Sequence, residues 1–122
     1  MTFLEAVAKY EGWQASPTNR PTRNNNPGNV EWGPFAQSHG ATRLEVIPQG
    51  YTSTARYAEF PDPDTGFGCM RALFLKRYAG MTVEATMHKY APPVENDTRA
   101  YVNYICQKCG CTPATMVDEL LL

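Results

Sequence analysis

Glu11 and the run Arg23-Asn24-Asn25-Asn26-Pro27-Gly28-Asn29 are the residues of this chain whose types and spacing suit chemistry. Three consecutive asparagines before Pro-Gly fit neither a helix nor a regular strand. Asn side chains compete for backbone hydrogen bonds, Pro27 biases Asn26 to an extended conformation, and Gly28 is free to take positive φ. The expected product is a tight loop dense in amide donors and acceptors, suited to hydroxyl- and acetamido-rich ligands, that is, sugars. The plainer expectation is a turn whose amides satisfy only the loop itself. Glu11 adds weight to the first. It follows Val7 by four residues and Leu4 by seven, which puts it on the apolar side of a first helix. A carboxylate there is costly unless paired or protonated. Burial and the helix C-terminus both favour the protonated form, as a general acid requires. The competing expectation is a helix-end Glu that turns to solvent or pairs with Arg20 or Arg23.

The elements that must position these residues follow from caps and breakers. Thr2-Phe3-Leu4-Glu5 reads as a capping box, and its helix runs to about Tyr10 or Glu11 and stops at Gly12. The stretch from Ser16 to Gly68 is rich in Pro and Gly. Val30–Trp32, Thr42–Ile47 and Thr54–Phe60 are strand candidates for a small antiparallel sheet, with Gly33-Pro34 as a turn between the first two. Trp32, Phe35, Tyr51 and Tyr57 belong to its faces or to the core, and one or two can stack on sugar rings. The second half is helical. Asp62 or Asp64 opens a helix to Tyr78 that Gly80 ends. Thr82 caps a shorter one to about Tyr90, Pro92-Pro93 break the chain, and Asn96 or Asp97 caps a third with Tyr101, Ile105 and Cys109 inward. Gly110 stops that helix in a Schellman turn with Cys111 as its hydrophobic contact, and Thr112-Pro113 opens a last helix.

With 122 residues, 43% hydrophobic and 19% charged, the sequence specifies one globular domain over 1–122. A net charge of −1 with scattered Lys and Arg excludes a strongly nucleic-acid-binding surface. No apolar run is long enough to span a membrane, and no signal peptide is read at the N-terminus, so a monomer made in the cytoplasm is expected. Cys106-Gln-Lys-Cys109-Gly-Cys111 with Cys69 is a weak match to a zinc site, because a second ligand pair is missing. Small buried apolar residues are the expected role, with a disulfide and a metal as the alternatives. His39 and His88 group with no nucleophile, and no phosphate loop is present. No cofactor is expected.

Tyr10-Glu11-Gly12-Trp13, the Arg23–Asn29 run, the segment from Tyr90 to Thr98 (YAPPVENDT) and Tyr101-Val102 together resemble the lysozyme-like lytic transglycosylases, small phage and bacterial peptidoglycan-cleaving proteins. The resemblance covers roughly Leu4 to Pro113. It implies a lysozyme-like α+β fold, a helical body with a small antiparallel β-region. Glu11 matches the catalytic position, and Thr98-Arg99-Ala100-Tyr101-Val102 resembles a signature whose Tyr lies near that Glu, so Tyr101 is expected to orient Glu11. The expected glycan contacts are Asn24, Asn25, Asn26, Asn29, Trp32, Tyr90 and Asn96. Two positions depart from the pattern: Gly12 replaces the usual Ser, and Asn26-Pro27-Gly28-Asn29 stands where a Gly-Leu-Met-Gln loop is usual. The implied reaction cuts the β-1,4 bond between N-acetylmuramic acid and N-acetylglucosamine and forms a 1,6-anhydro sugar. The implied setting is the cell wall after release, as for an endolysin. A hydrolytic lysozyme is the alternative; it needs a second carboxylate, for which Glu31, Glu45, Glu59 and Asp62 are candidates. A non-catalytic wall-binding or virion component is the third reading.

Overall fold

The computed structural model describes residues 1–94 and 96–122; Glu95 of the YAPPVENDT segment lies outside the described residues. Among the described residues the architecture is α+β, about half helical with a small two-stranded antiparallel sheet. The chain divides into two compact units, one of residues 1–10 and 71–122, the other of residues 11–70.

The first unit is helical. The capping box closes α1 (Phe3–Tyr10): the Thr2 N–H donates to Glu5 Oε1 at 2.9 Å and the Glu5 N–H to Thr2 Oγ1 at 3.1 Å. Phe3, Leu4, Ala6, Val7 and Ala8 are buried. This apolar stripe packs on α6 (Thr98–Cys109), whose buried Tyr101, Val102 and Ile105 recur at helical spacing. Asp97 caps α6 by accepting from the Ala100 N–H at 3.1 Å. Thr82 does the same for α5 (Val83–Tyr90) through the Ala85 N–H at 3.1 Å. Phe3 meets Phe74 edge to face with centroids 5.7 Å apart, and Phe74 meets Tyr78 at 5.2 Å, which makes an aromatic centre for this unit. The last helix differs from expectation. Thr112–Thr115 forms a turn, Thr115 N–H to Thr112 O at 3.0 Å, and α7 spans only Val117–Leu120. A backbone bond from Val83 N–H to Thr115 O at 2.8 Å holds that turn extended against the start of α5, where a helix opened by Pro113 would have closed on itself.

The second unit contains two short helices, α2 (Arg20–Arg23) and α3 (Pro34–Ser38), and the sheet. β1 (Arg43–Leu44) pairs with β2 (Ala58–Glu59) in the register Arg43 with Glu59 and Leu44 with Ala58. The expected strand at Val30–Trp32 reduces to a single bridge, Glu31 with Tyr57. Pro34 opens a helix instead of a turn, because Pro is favoured in the first helical turn. The helix α4 (Pro63–Tyr78) begins in this unit and ends in the other. Asp62 opens it by accepting from both the Thr65 N–H and the Thr65 hydroxyl at 2.8 Å.

Among the described residues no helix is long and apolar enough to cross a membrane.

Candidate functional site

Glu11 directly follows the last residue of α1 and is exposed. The helical wheel put it on the apolar face; the structure corrects this. The helix ends at Tyr10, and Gly12 takes φ +100°, a conformation that L side chains rarely adopt, so the chain turns before Glu11 can follow Leu4 and Val7 inward. The turn after Glu11 is pinned within its own unit. The Gly12 carbonyl accepts from Asn19 Nδ2 at 2.6 Å, the Gln14 N–H donates to Thr22 Oγ1 at 2.9 Å, and buried Trp13 meets Phe67 edge to face at 5.5 Å. Arg20 and Arg23, the alternative partners weighed for Glu11, both reach Glu45.

Tyr101 belongs to the first unit and packs against α1. It is fully buried, its hydroxyl donates to the Val7 carbonyl at 3.3 Å, and its ring stacks on Tyr10 at 3.9 Å. Tyr10 is the residue directly before Glu11. Two segments separated by 94 residues in sequence, Val7 and Tyr101, thus meet at the last turn of α1.

The asparagine run is a built turn. Asn24 is the C-cap of α2, Asn25 and Asn29 take left-handed φ of 50° and 45°, and the Asn26 N–H donates to Pro21 O at 2.9 Å. Asn24 Nδ2 donates to Glu45 Oε1 at 3.1 Å, and Asn25 Nδ2 to Phe60 O at 3.1 Å. Asn26 Nδ2 donates to Val30 O at 2.9 Å and Ala58 O at 2.8 Å, while its Oδ1 accepts from the Val30 N–H at 2.9 Å. Asn24 and Asn26 are buried, at 2% and 0% exposure. Their expected role as glycan contacts is corrected accordingly: the amides peg the turn to the β2 segment, and a buried side chain offers a ligand nothing. Asn25 remains half-buried. Asn29 is also half-buried, and its Oδ1 is a buried acceptor without a hydrogen-bond partner among the described residues. Helix α4 lies against this turn through glycine. A Cβ on Gly66 would stand 1.9 Å from the Asn25 carbonyl oxygen, and one on Gly28 would stand 2.8 Å from Met70 Cγ.

Glu45, weighed as a second carboxylate, is the electrostatic centre of this unit. Its side chain is 0% exposed. Arg20 Nε donates to both its oxygens at 3.0 and 3.1 Å and Arg20 Nη2 to Oε2 at 2.7 Å. Arg23 adds a contact at 3.4 Å, and the Arg56 and Tyr57 backbone N–H groups donate to Oε2 at 3.0 and 2.9 Å. Burial pushes the carboxyl upward, but the bonds from Arg20, the two backbone amides and Asn24 outweigh it and hold the pKa at about 2. The other three candidates also have partners: Glu31 with Arg56 at 2.6 Å, Glu59 with Arg43 at 2.6 Å, and Asp62 with Thr65.

Trp32 is half-buried, and its N–H donates to Arg56 O at 3.0 Å. In the first unit Tyr90 is half-buried and packs on Phe74 at 5.1 Å and Tyr78 at 6.4 Å. Asn96 is exposed, and its N–H donates to Pro92 O at 3.0 Å.

No family model matches the chain. Over 103 residues it is 33% identical to Protein P5 of Pseudoalteromonas phage PM2, an alignment that covers 80% of this chain and 59% of that protein.

Proposed function

We propose that this chain is a lysozyme-like lytic transglycosylase that cleaves the β-1,4 bond between N-acetylmuramic acid and N-acetylglucosamine in peptidoglycan. Glu11 acts as general acid and protonates the glycosidic oxygen. The resulting carboxylate then takes the proton from the muramic C6 hydroxyl, which attacks C1 and closes the 1,6-anhydro ring. One carboxyl serves both steps in turn. Glu11 is exposed, so a glycan reaches it directly, and exclusion of water from the reacting bond falls to the bound sugar.

The observation that carries this reading is at the end of α1. Tyr101 of the T-R-x-Y-V segment bonds the Val7 carbonyl and stacks on Tyr10, which immediately precedes Glu11. The resemblance pairs a Glu and a Tyr of this kind. The choice of the substrate's own hydroxyl as nucleophile is supported by the partners of Glu31, Glu45, Glu59 and Asp62, each of which holds a named contact of the fold. Of the asparagines of the run, Asn25 and Asn29 are half-buried rather than buried, and we assign these two to the glycan. A relative in a phage is compatible with a wall-cleaving role.

Mass spectrometry of muropeptides released from purified cell walls tests the reaction type. Anhydro-muramic ends are expected. Reducing ends, heavier by one water, would replace the transglycosylase by a hydrolytic lysozyme. Binding to walls with no release of fragments would favour the non-catalytic reading.

A further inference from the structure

Cys106, Cys109 and Cys111 come together at the C-terminal end of α6 and take no part in the proposed reaction. The Cys109 thiol donates to Cys111 Sγ at 3.2 Å, and the Cys111 thiol to Cys106 Sγ at 3.6 Å. Cys111 is therefore common to both contacts. The backbone explains the meeting. Gly110 takes φ +71°, and the Gly110 and Cys111 N–H groups both donate to Cys106 O, at 3.0 and 3.2 Å. These are the bonds of a helix end closed by a left-handed glycine, and they place Cys106 and Cys111 at the two positions whose side chains touch across such a cap. All three thiols are half-buried, whereas Cys69 is buried in the other unit.

We propose that the three thiols form an exchange triad that closes, in an oxidising compartment, to a Cys106–Cys111 disulfide stapling the end of α6, with Cys109 as the exchanging thiol. The oxidant is a dithiol-disulfide reagent or oxidoreductase. One cysteine thiolate attacks the reagent disulfide and releases one reagent thiol. A second cysteine of the triad attacks the mixed disulfide and expels the other reagent thiol, which leaves with the second proton. Two cysteine thiols and one reagent disulfide thus become one protein disulfide and two reagent thiols.

The pair is set by strain. A Cys106–Cys111 bridge spans two residues already tied by a backbone hydrogen bond. A Cys109–Cys111 bridge encloses only Gly110 and forces the cap open, and strained bridges are the more easily reduced. Should that shorter bridge form first, Cys106 lies 3.6 Å from Cys111 Sγ and exchanges into it, returning Cys109 to the thiol. Burial pushes the three thiols upward, Cys109 to about 11, so near neutrality the attacking thiolate is a small fraction and closure of the bridge is slow.

The test equilibrates the folded protein with oxidised glutathione, alkylates what remains, and maps the peptides. Trypsin cuts after Lys108 and so separates Cys106 from Cys109 and Cys111. The parent is expected to show a Cys106–Cys111 cross-link between two peptides, with Cys69 and Cys109 alkylated after denaturation. Cys109→Ser should give the same cross-link and Cys111→Ser none. The oxidised parent should melt at a higher temperature than the reduced one, and Cys111→Ser should show no such difference. Four alkylated cysteines in the parent, a cross-link confined to the Cys109–Cys111 peptide, or identical melting of oxidised and reduced parent would overturn the proposal. The parent map decides the matter even if a variant fails to fold.

Discussion

At the scale of single residues, the structure separates two kinds of polar side chain that the sequence displays alike. Asn24, Asn26 and Glu45 are buried parts of the scaffold, while Glu11 is exposed. Asn26 alone makes three hydrogen bonds to the backbone of Val30 and Ala58. Asn26→Ala leaves the Val30 N–H and the Ala58 carbonyl unsatisfied in a buried setting, and urea unfolding should show a loss of about 2–4 kcal/mol. Glu45 sets the acid limb of stability. Its folded pKa of about 2 lies below the ordinary 4.5, so the native state binds its proton less readily than the unfolded chain. The stabilisation is complete above the unfolded value and is lost as pH falls from about 4.5 to about 2. Denaturant midpoints should drop over that window by the equivalent of roughly 3 kcal/mol. In Glu45→Gln this acid-dependent component should vanish, together with much of the stability at pH 7, because Arg20 and Arg23 then face a neutral group.

At the scale of elements, the sequence was most legible where a local signal sufficed. The capping box at Thr2, the caps at Thr82 and Asp97, and the stop at Gly110 are contained within a few residues each, and the helices they bound occur where the caps put them. The short helices α2 and α3, of four and five residues, carry no periodicity and are too short to nucleate alone; contacts distant in sequence hold them. Glu11 was misplaced for the opposite reason. A helical period was extended one residue beyond the point where Gly12 ends it. Glycine in α4 gives a contrast to test. Gly66→Ala meets the Asn25 carbonyl oxygen at 1.9 Å and should destabilise by about 1–3 kcal/mol despite the better helix propensity of Ala. Gly68→Ala, two residues on, meets nothing within 4 Å and is expected to stabilise by up to about 1 kcal/mol. Thermal melts of the two variants should move in opposite directions; equal shifts would mean that α4 does not press on the asparagine turn.

At the scale of the whole molecule, the first unit is assembled from both ends of the chain and the second from the segment between them. The Met1 ammonium donates to the Lys108 carbonyl at 3.1 Å, and α1 packs on α6, which joins residues about a hundred positions apart. Such pairings leave no local trace, which is why Glu45 stood among the candidates for a second carboxylate. Its partners Arg20, Arg23 and Asn24 lie more than twenty residues upstream, and no pattern within Thr42–Ile47 announces them. The chain spans 59% of the length of the phage relative it matches.

The proposed reaction turns on Glu11. Purified peptidoglycan should be solubilised by the parent protein, and Glu11→Gln, shown by circular dichroism to be folded, should lose roughly 10²–10⁴-fold of that rate, the usual worth of a general acid–base residue. An unchanged rate in folded Glu11→Gln, or a parent that releases no wall fragments, would contradict it.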